Sequence, residues 1–395
     1  MVPALRDPFN RRWTPADYVR LQARLGERTG LPLPFPVSET PCFFPRALLD
    51  EMAATAVTLV TGFLADAPAR AAAEALIPAR YLGPGQEAQP TCVQVDFGLV
   101  ETPSGVAPRL VELQAFPSLY AFQHVLADTH REVHGLPDDL DAYLGGLDAA
   151  AYLALVGDAL RGGHDPAEVV LMEIAPDQQK TRPDFVLTEQ LWGVATVDPR
   201  EVTVRGRTLT RRLGGREVPI RRVYNRIIPD ELERTRHPMP FDYRDDLDVE
   251  WVGHPAWYFR VSKSAIPWLR HPAVPRTWRL DQVDGLPLDP ARLVLKPLFS
   301  FAGGGIRFNP SAADLAAIAV DQRQLYLLQE RVAFAPVIAT PHGPTQAEIR
   351  VMCLWTDRLR AVLPLIRMGR GQMMGVAHNQ GLAWVGASAG FGVRP

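Results

Sequence analysis

Apolar and polar residues alternate with a period of two along TCVQVDF (91–97) and again along RLVELQAF (109–116). That period puts Val93, Val95 and Phe97 on one face of an extended strand and Gln94 and Asp96 on the other. In the second run Val111 and Leu113 oppose Leu110, Glu112 and Gln114. The connection, ETPSGVAP, is rich in turn formers, so a hairpin turning about Ser104 is expected. Pairing in that register sets Asp96 against Glu112 and Gln94 against Gln114.

The first 90 residues are patterned as helices. Thr14-Pro15-Ala16 reads as an N-cap with proline at the first helical position, opening a helix to about residue 28. The proline-rich segment 31–45 reads as a linker, followed by alanine-rich helices over 47–64 and 69–77. A further helix is expected over 119–135. At 168 the pattern changes to a buried-type strand (EVVLMEIA), a loop (DQQKTRPDF), a helix (DFVLTEQLWG) and a second strand (VATVDP), a βαβ-like half-unit. IRRVYNRI is the next strand. Beyond residue 249 come a helix containing Lys263, then the run RLVLKPLFSFAGGGIRF (292–308). That run reads as a strand ending in Lys296-Pro297, a glycine loop and a returning strand. A short helix (312–319) and the strands LYLLQERV, QAEIRVMCLW and RLRAVLPLIRMG follow, with Glu348 and Arg350 on one face of the second. The fold class is therefore mixed α/β of the α+β kind, with units at 1–90, 91–165, 166–248 and 249–395.

Composition narrows the picture modestly. The 395 residues are 47% hydrophobic and 22% charged, with a net charge of −2. Neither nucleic acid nor an anionic membrane is implied as a partner. The run 52–64 is too short to span a bilayer. Three scattered cysteines, Cys42, Cys92 and Cys353, fit a reducing cytoplasm better than a disulfide framework. The seven arginines of 201–222 lack interleaved aromatics and read as a solvated hairpin. His130 and His134 share a helical face, but no carboxylate or cysteine cluster accompanies them. Of 42 basic residues only Lys180, Lys263 and Lys296 are lysine. Where arginine serves almost everywhere, those lysines mark positions at which a compact ammonium is wanted.

Two constellations carry candidate chemistry, each with a plainer reading beside it. Gly303, Gly304 and Gly305 let backbone N–H groups approach an anion, and Lys296 at the foot of the loop offers a point charge to phosphate. The order differs from the GxxxxGK[ST] phosphate loop, and a surface hairpin would show the same glycines. Asp96 opposite Glu112 brings two carboxylates close on one sheet face, a repulsion that oxygen-bound Mg²⁺ would relieve. The plainer reading is a polar solvent face on an edge hairpin. Gln178, Lys180 and Arg182 lie after the first strand of the βαβ-like unit, where a ligand crevice is expected; a solvated loop suits them equally.

Taken in order, these pieces resemble the ATP-grasp superfamily: Lys263 on a helix before Val274–Thr277, then Lys296-Pro297 with the flap Gly303–Gly305, then Gln329-Glu330 as the strand that holds adenine. The match runs over about 249–386. The superfamily's metal motif ordinarily follows the hinge, whereas here Asp96 and Glu112-Leu113-Gln114 precede it. That order is similar to the circularly permuted group containing glutathionylspermidine synthase. Gln114 stands where asparagine is usual, and Gln94 where an arginine often precedes the aspartate. The resemblance implies ATP and Mg²⁺ as cofactors, with Asp96, Glu112 and Gln114 at the metal. Arg350, Arg367 and Asn379 are the expected clamp on the transferring group. It also implies an ADP-forming carboxylate–amine ligase acting through an acyl phosphate on small-molecule substrates, and is compatible with a homo-oligomer. A phosphotransferase and a non-catalytic nucleotide-binding protein are the competing functions.

Overall fold

The computed structural model describes residues 1–300 and 303–394. Its centre is a six-stranded sheet in the order Cys42–Pro45, Gly386–Val393, Leu359–Gly369, Gln346–Trp355, Cys92–Thr102, Gly105–Gln114. The expected hairpin forms in the expected register: Gln94 pairs with Gln114 and Asp96 with Glu112, with a register shift after Asp96. It is not a free edge hairpin, however. Cys92–Thr102 pairs on its other side with Gln346–Trp355, which sets Asp96 against Arg350. On the polar face Gln94 and Asp96 are buried.

The opposite face of the sheet explains the alternation. Val93, Val95, Phe97, Ile349 and Val351 pack with Met52, Ala56, Leu59 and Phe63 of the helix Arg46–Ala65 in the largest core cluster. That helix is long and apolar enough to cross a membrane by composition, yet its apolar side chains join this core. The helix Pro15–Thr29 begins as expected: Thr14 N donates to Asp17 Oδ2 at 2.6 Å, and Gly30 closes it at φ 66°. A left-handed backbone there is cheap for glycine.

The segment 31–45 is more than a linker. Cys42–Pro45 adds a parallel edge strand to Gly386–Val393. An edge tolerates proline because it needs no second ladder partner. The βαβ-like half-unit is present as Val169–Met172, the helix Arg182–Trp192 and Ala195–Val197; it extends to a four-stranded parallel sheet with Arg222–Asn225 and Glu250–Val252. The arginine-rich segment forms an antiparallel three-stranded sheet rather than one hairpin, and Arg211 is buried, donating to Ala167 O at 2.9 Å. The flap region supplies the fourth sheet, in the order Thr277–Arg279, Tyr326–Glu330, Leu293–Pro297, Arg307–Phe308. Within the expected flap, Phe301 and Ala302 lie outside the described residues.

Two helix expectations change at prolines and short caps. Lys263 opens a 3-10 turn, Lys263–Trp268, with Pro267 inside it, instead of lying within an α-helix. Proline has no N–H to continue an α-helical ladder. The expected helix 312–319 is α-helical only over Ala312–Ala316. The helix Tyr120–His134 is tied to its neighbour by buried Asp184, which accepts from Leu119 N at 3.1 Å and Phe122 N at 2.9 Å. This places the first turn of that helix over the sheet.

Candidate active site

One face of the six-stranded sheet floors a cavity of about 340 Å³ lined by Asp96, Glu112, Gln114, Glu348, Arg350 and Arg367. The period of two on each strand brings these side chains to the same side. Lys296, Gln329, Ser300 and Gly303 close it from the flap sheet, and the loop around Met373 and His378 forms part of the roof. Gly303 has φ 78°, the left-handed region that favours glycine, and a Cβ there would lie 2.2 Å from Met373 Cε, the movable end of a flexible side chain.

The two rare lysines converge on the hairpin. Lys296 is buried, and its ammonium donates to Val111 O at 3.0 Å and Gln329 Oε1 at 2.6 Å, both neutral acceptors. Burial lowers its pKa to about 8, with Glu112 acting in the opposite direction. Lys263 donates to Ser300 O at 3.1 Å and stands 3.6 Å from Glu112 Oε2. Lys180 lines the same cavity from the loop after Val169–Met172, at the carboxyl ends of the parallel strands.

Asp96 is neutralised by arginine. Arg350 Nε and Nη2 donate to its two oxygens at 2.6 and 2.7 Å, and Arg367 Nη2 bonds Oδ2 as well. Desolvation alone would raise the Asp96 carboxyl, but the guanidiniums of Arg350 and Arg367 overturn this and hold it low. Arg350 Nη1 also donates to Gln94 Oε1 at 2.6 Å. With its amide oxygen turned to the guanidinium, Gln114 accepts from Nη1 and Nη2 at 3.1 and 3.0 Å. The charge that Gln94 lacks is thus delivered from the adjacent strand.

In this structure Arg350, Arg367 and Lys263 relieve the repulsion expected between Asp96 and Glu112. Asp96 uses both oxygens on arginine, and Gln114 turns its oxygen to Arg350. Of the three expected ligands, Glu112 is the one whose oxygens are not held by a guanidinium among the described residues. Mg²⁺ on a nucleotide needs only one or two carboxylates beside the phosphate oxygens. No group of three or more metal-binding side chains occurs among the described residues. A polyphosphate fits the donor set better. Among the described residues Lys296 lacks an ion pair, and the buried atoms Gln329 Nε2, Ser300 Oγ and Arg367 Nε have no hydrogen-bond partner.

Other expected residues fall elsewhere. Asn379 is buried in the loop, accepting from Arg370 N at 3.0 Å and donating to Met373 O and Gly375 O. It shapes the roof and is not one of the cavity's lining residues. Glu330 turns to the outer side of its strand, where Arg276 and Arg292 pair with it, because alternation sends Gln329 inward. Arg182 pairs with Asp177, and Gln178 is exposed away from the cavity lining. Glu348, not assigned a role from the sequence, is buried, lines the cavity and pairs with Arg367. Its position on the Arg350 face was the available signal.

No protein-family profile and no curated protein matches the chain. Among solved structures, one described as a glutathione synthetase-like effector from Globodera pallida, in its apo form, superposes with a TM-score of 0.59 at 14% identity. The match covers 97% of this chain and 99% of that one. The chain therefore shares the fold of that protein over nearly its whole length.

Proposed function

We propose that this protein is an ATP-dependent carboxylate–amine ligase of the ATP-grasp type. The observation that carries the reading is Lys296: a buried ammonium at the foot of a glycine flap, bonded among the described residues only to neutral acceptors. Such a cation is strongly stabilised by an anion entering the cavity. Lys263, at the same end of the hairpin, adds a second charge for the triphosphate. The fold shared with a glutathione synthetase-like protein supports the class.

In this reading Lys296, Lys263 and the flap hold the phosphates, while Arg350 and Arg367 orient the substrate carboxylate beside the γ-phosphorus. Carboxylate attack breaks the β–γ bridge bond and gives an acyl phosphate and ADP. The amine then displaces phosphate. Fixed positive charge and positioning supply most of the rate enhancement for such transfers. Mg²⁺ is proposed to accompany the nucleotide, with Glu112 as its protein contact; bound there, it neutralises phosphate charge.

A second reading has one observation in its favour. The arginine-saturated Asp96 suits a protein that binds a nucleotide without turning it over. Incubation with ATP, a pool of carboxylates and hydroxylamine separates the two. A ligase yields ADP, phosphate and a hydroxamate; a binding protein yields none of them. A stable phosphate ester would indicate a phosphotransferase, and AMP would overturn the site assignment.

A further inference from the structure

We infer that the amine substrate is an α-amino acid with a large apolar side chain; the inference rests on the ligase reading above and concerns the half of the cavity the nucleotide does not reach. The strand order supplies a ruler. Glu112, Asp96, Arg350, Arg367 and Ala387 stand on five successive strands of one sheet, and all line the cavity. At about 4.8 Å per strand, Glu112 and Ala387 lie roughly 19 Å apart. Lys296 lines the cavity at the Glu112 edge, bonded to Val111 O, and Lys263 stands behind Glu112 itself. Arg350 and Arg367 occupy the middle. The nucleotide therefore enters from one edge, and the floor toward Ala387 belongs to the other substrate.

Apolar side chains form much of the wall of that half, beside Gln123, whose amide donates to Pro364 O and Ser388 O. Phe35 meets Phe122 edge-to-face at 5.1 Å, and Leu365, Met374 and Pro36 line the same space. Among the described residues no carboxylate lines it. The acids lining the cavity are Asp96, Glu112 and Glu348, each on a strand at or before the centre and each paired with a cation. A polyamine would bring several positive charges to a wall holding no carboxylate, at a large desolvation penalty.

One cation flanks this space. Lys180 lies beside the start of the helix Tyr120–His134: its neighbour Thr181 shares Arg226 with Pro117, two residues before Leu119. Lys180 is exposed and makes no hydrogen bond or ion pair among the described residues. A ligand with its carboxylate on Lys180 and an apolar side chain against Phe35 and Phe122 directs its amine to the Arg350–Arg367 centre. At that centre Asp96 and Glu348 balance the two guanidiniums, so the amine meets no net charge and attacks as the neutral base. The amine nitrogen bonds to the acyl carbon, the carbon–oxygen bond to phosphate breaks, and the amine proton leaves with the phosphate.

The test is direct binding to the whole protein with ADP present, using L-phenylalanine, L-phenylalaninamide and spermidine as probes. L-phenylalanine should bind about tenfold more tightly than its amide, and spermidine should not bind. Lys180→Ala, an exposed position with little bearing on folding, should lower the affinity for L-phenylalanine to that for the amide and leave the amide unaffected. Binding of spermidine, equal affinity for acid and amide, or an indifferent Lys180→Ala would each overturn the inference. ADP and ATP binding are measured on the same samples. Nucleotide binding without amino-acid binding sinks this inference alone; absence of nucleotide binding sinks the ligase reading.

Discussion

Arg350 and Asp96 face each other across two central antiparallel strands, and the guanidinium meets the carboxylate through paired hydrogen bonds of 2.6 and 2.7 Å. Both side chains are buried, so the pair is held in a low dielectric where its geometry matters most. Arg367 closes on the same carboxylate from the next strand and is itself paired with Glu348. Four charges on three adjacent strands thus neutralise one another and fix the floor of the cavity. Glu112 stands beside this network, paired with Lys263 instead.

Asp96→Asn should therefore be a stability variant first. Removing one member of a buried ion pair leaves its partner uncompensated and costs about 3–5 kcal/mol. Equilibrium urea unfolding measures this, with Glu112→Gln as the control. Glu112 is partly exposed and 3.6 Å from its lysine, so its loss should change stability by no more than about 1 kcal/mol. Equal losses in the two variants would contradict the arginine-locked assignment of Asp96.

Asn379→Ala separates shaping the roof from clamping the substrate. The amide makes three hydrogen bonds inside the loop of Met373 and Gly375. Its removal leaves buried backbone groups unpaired, at about 1–3 kcal/mol. The expected result is loosened protection of the 370–379 amides in hydrogen exchange, with ATP affinity unchanged. A selective loss of phosphate binding, with exchange unaltered, would restore Asn379 to the clamp.

Much of the site was legible because β-alternation is a local code. The register Asp96–Glu112 followed from two runs and one turn, and Glu348 with Arg350 followed from a third run. What alternation cannot convey is which strand becomes the neighbour of which. Arg350 lies 254 positions from Asp96, and nothing in either run specifies their pairing. The edge strand Cys42–Pro45 was missed for the same reason: its prolines signal a linker locally, while Gly386–Val393 supplies its partner from the far end of the chain. Lys263 misled in a third way, since Pro267 converts an apparent helix into a 3-10 turn without moving the lysine from the hairpin.

Glu112→Gln has a second expected consequence, on the divalent cation. With Asp96 taken by arginine, Glu112 keeps the carboxylate best able to exchange its lysine for a metal on the nucleotide. The variant should need about tenfold more Mg²⁺ for half-maximal ATP binding, while binding of metal-free ATP is unchanged or improved by the loss of one negative charge. Titration of Mg²⁺ against a fixed ATP concentration reads this. An unchanged midpoint would remove Glu112 from the metal's surroundings.

Lys296 ties the site to pH. Its folded pKa of about 8 lies below the ordinary lysine value of 10.5, with burial as the main cause. Below pH 8 the side chain is charged in both folded and unfolded chains, and the full penalty of burying it is present. Between about 8 and 10.5 the unfolded chain binds more protons, so this group makes stability rise with pH across that window. Nucleotide affinity should run the opposite way. It should be flat below about pH 8 and fall roughly tenfold per unit above it, because the phosphates need the ammonium and binding must then take up a proton. Calorimetry in two buffers of different ionisation enthalpy detects that proton directly. Lys296→Met should bind ATP more weakly by about 1.5–3 kcal/mol at pH 7, the worth of one charge-assisted contact. It should also lose both the proton uptake and the decline above pH 8. Parallel affinity curves for the two proteins across pH 7–10 would show that the buried ammonium does not meet the phosphates.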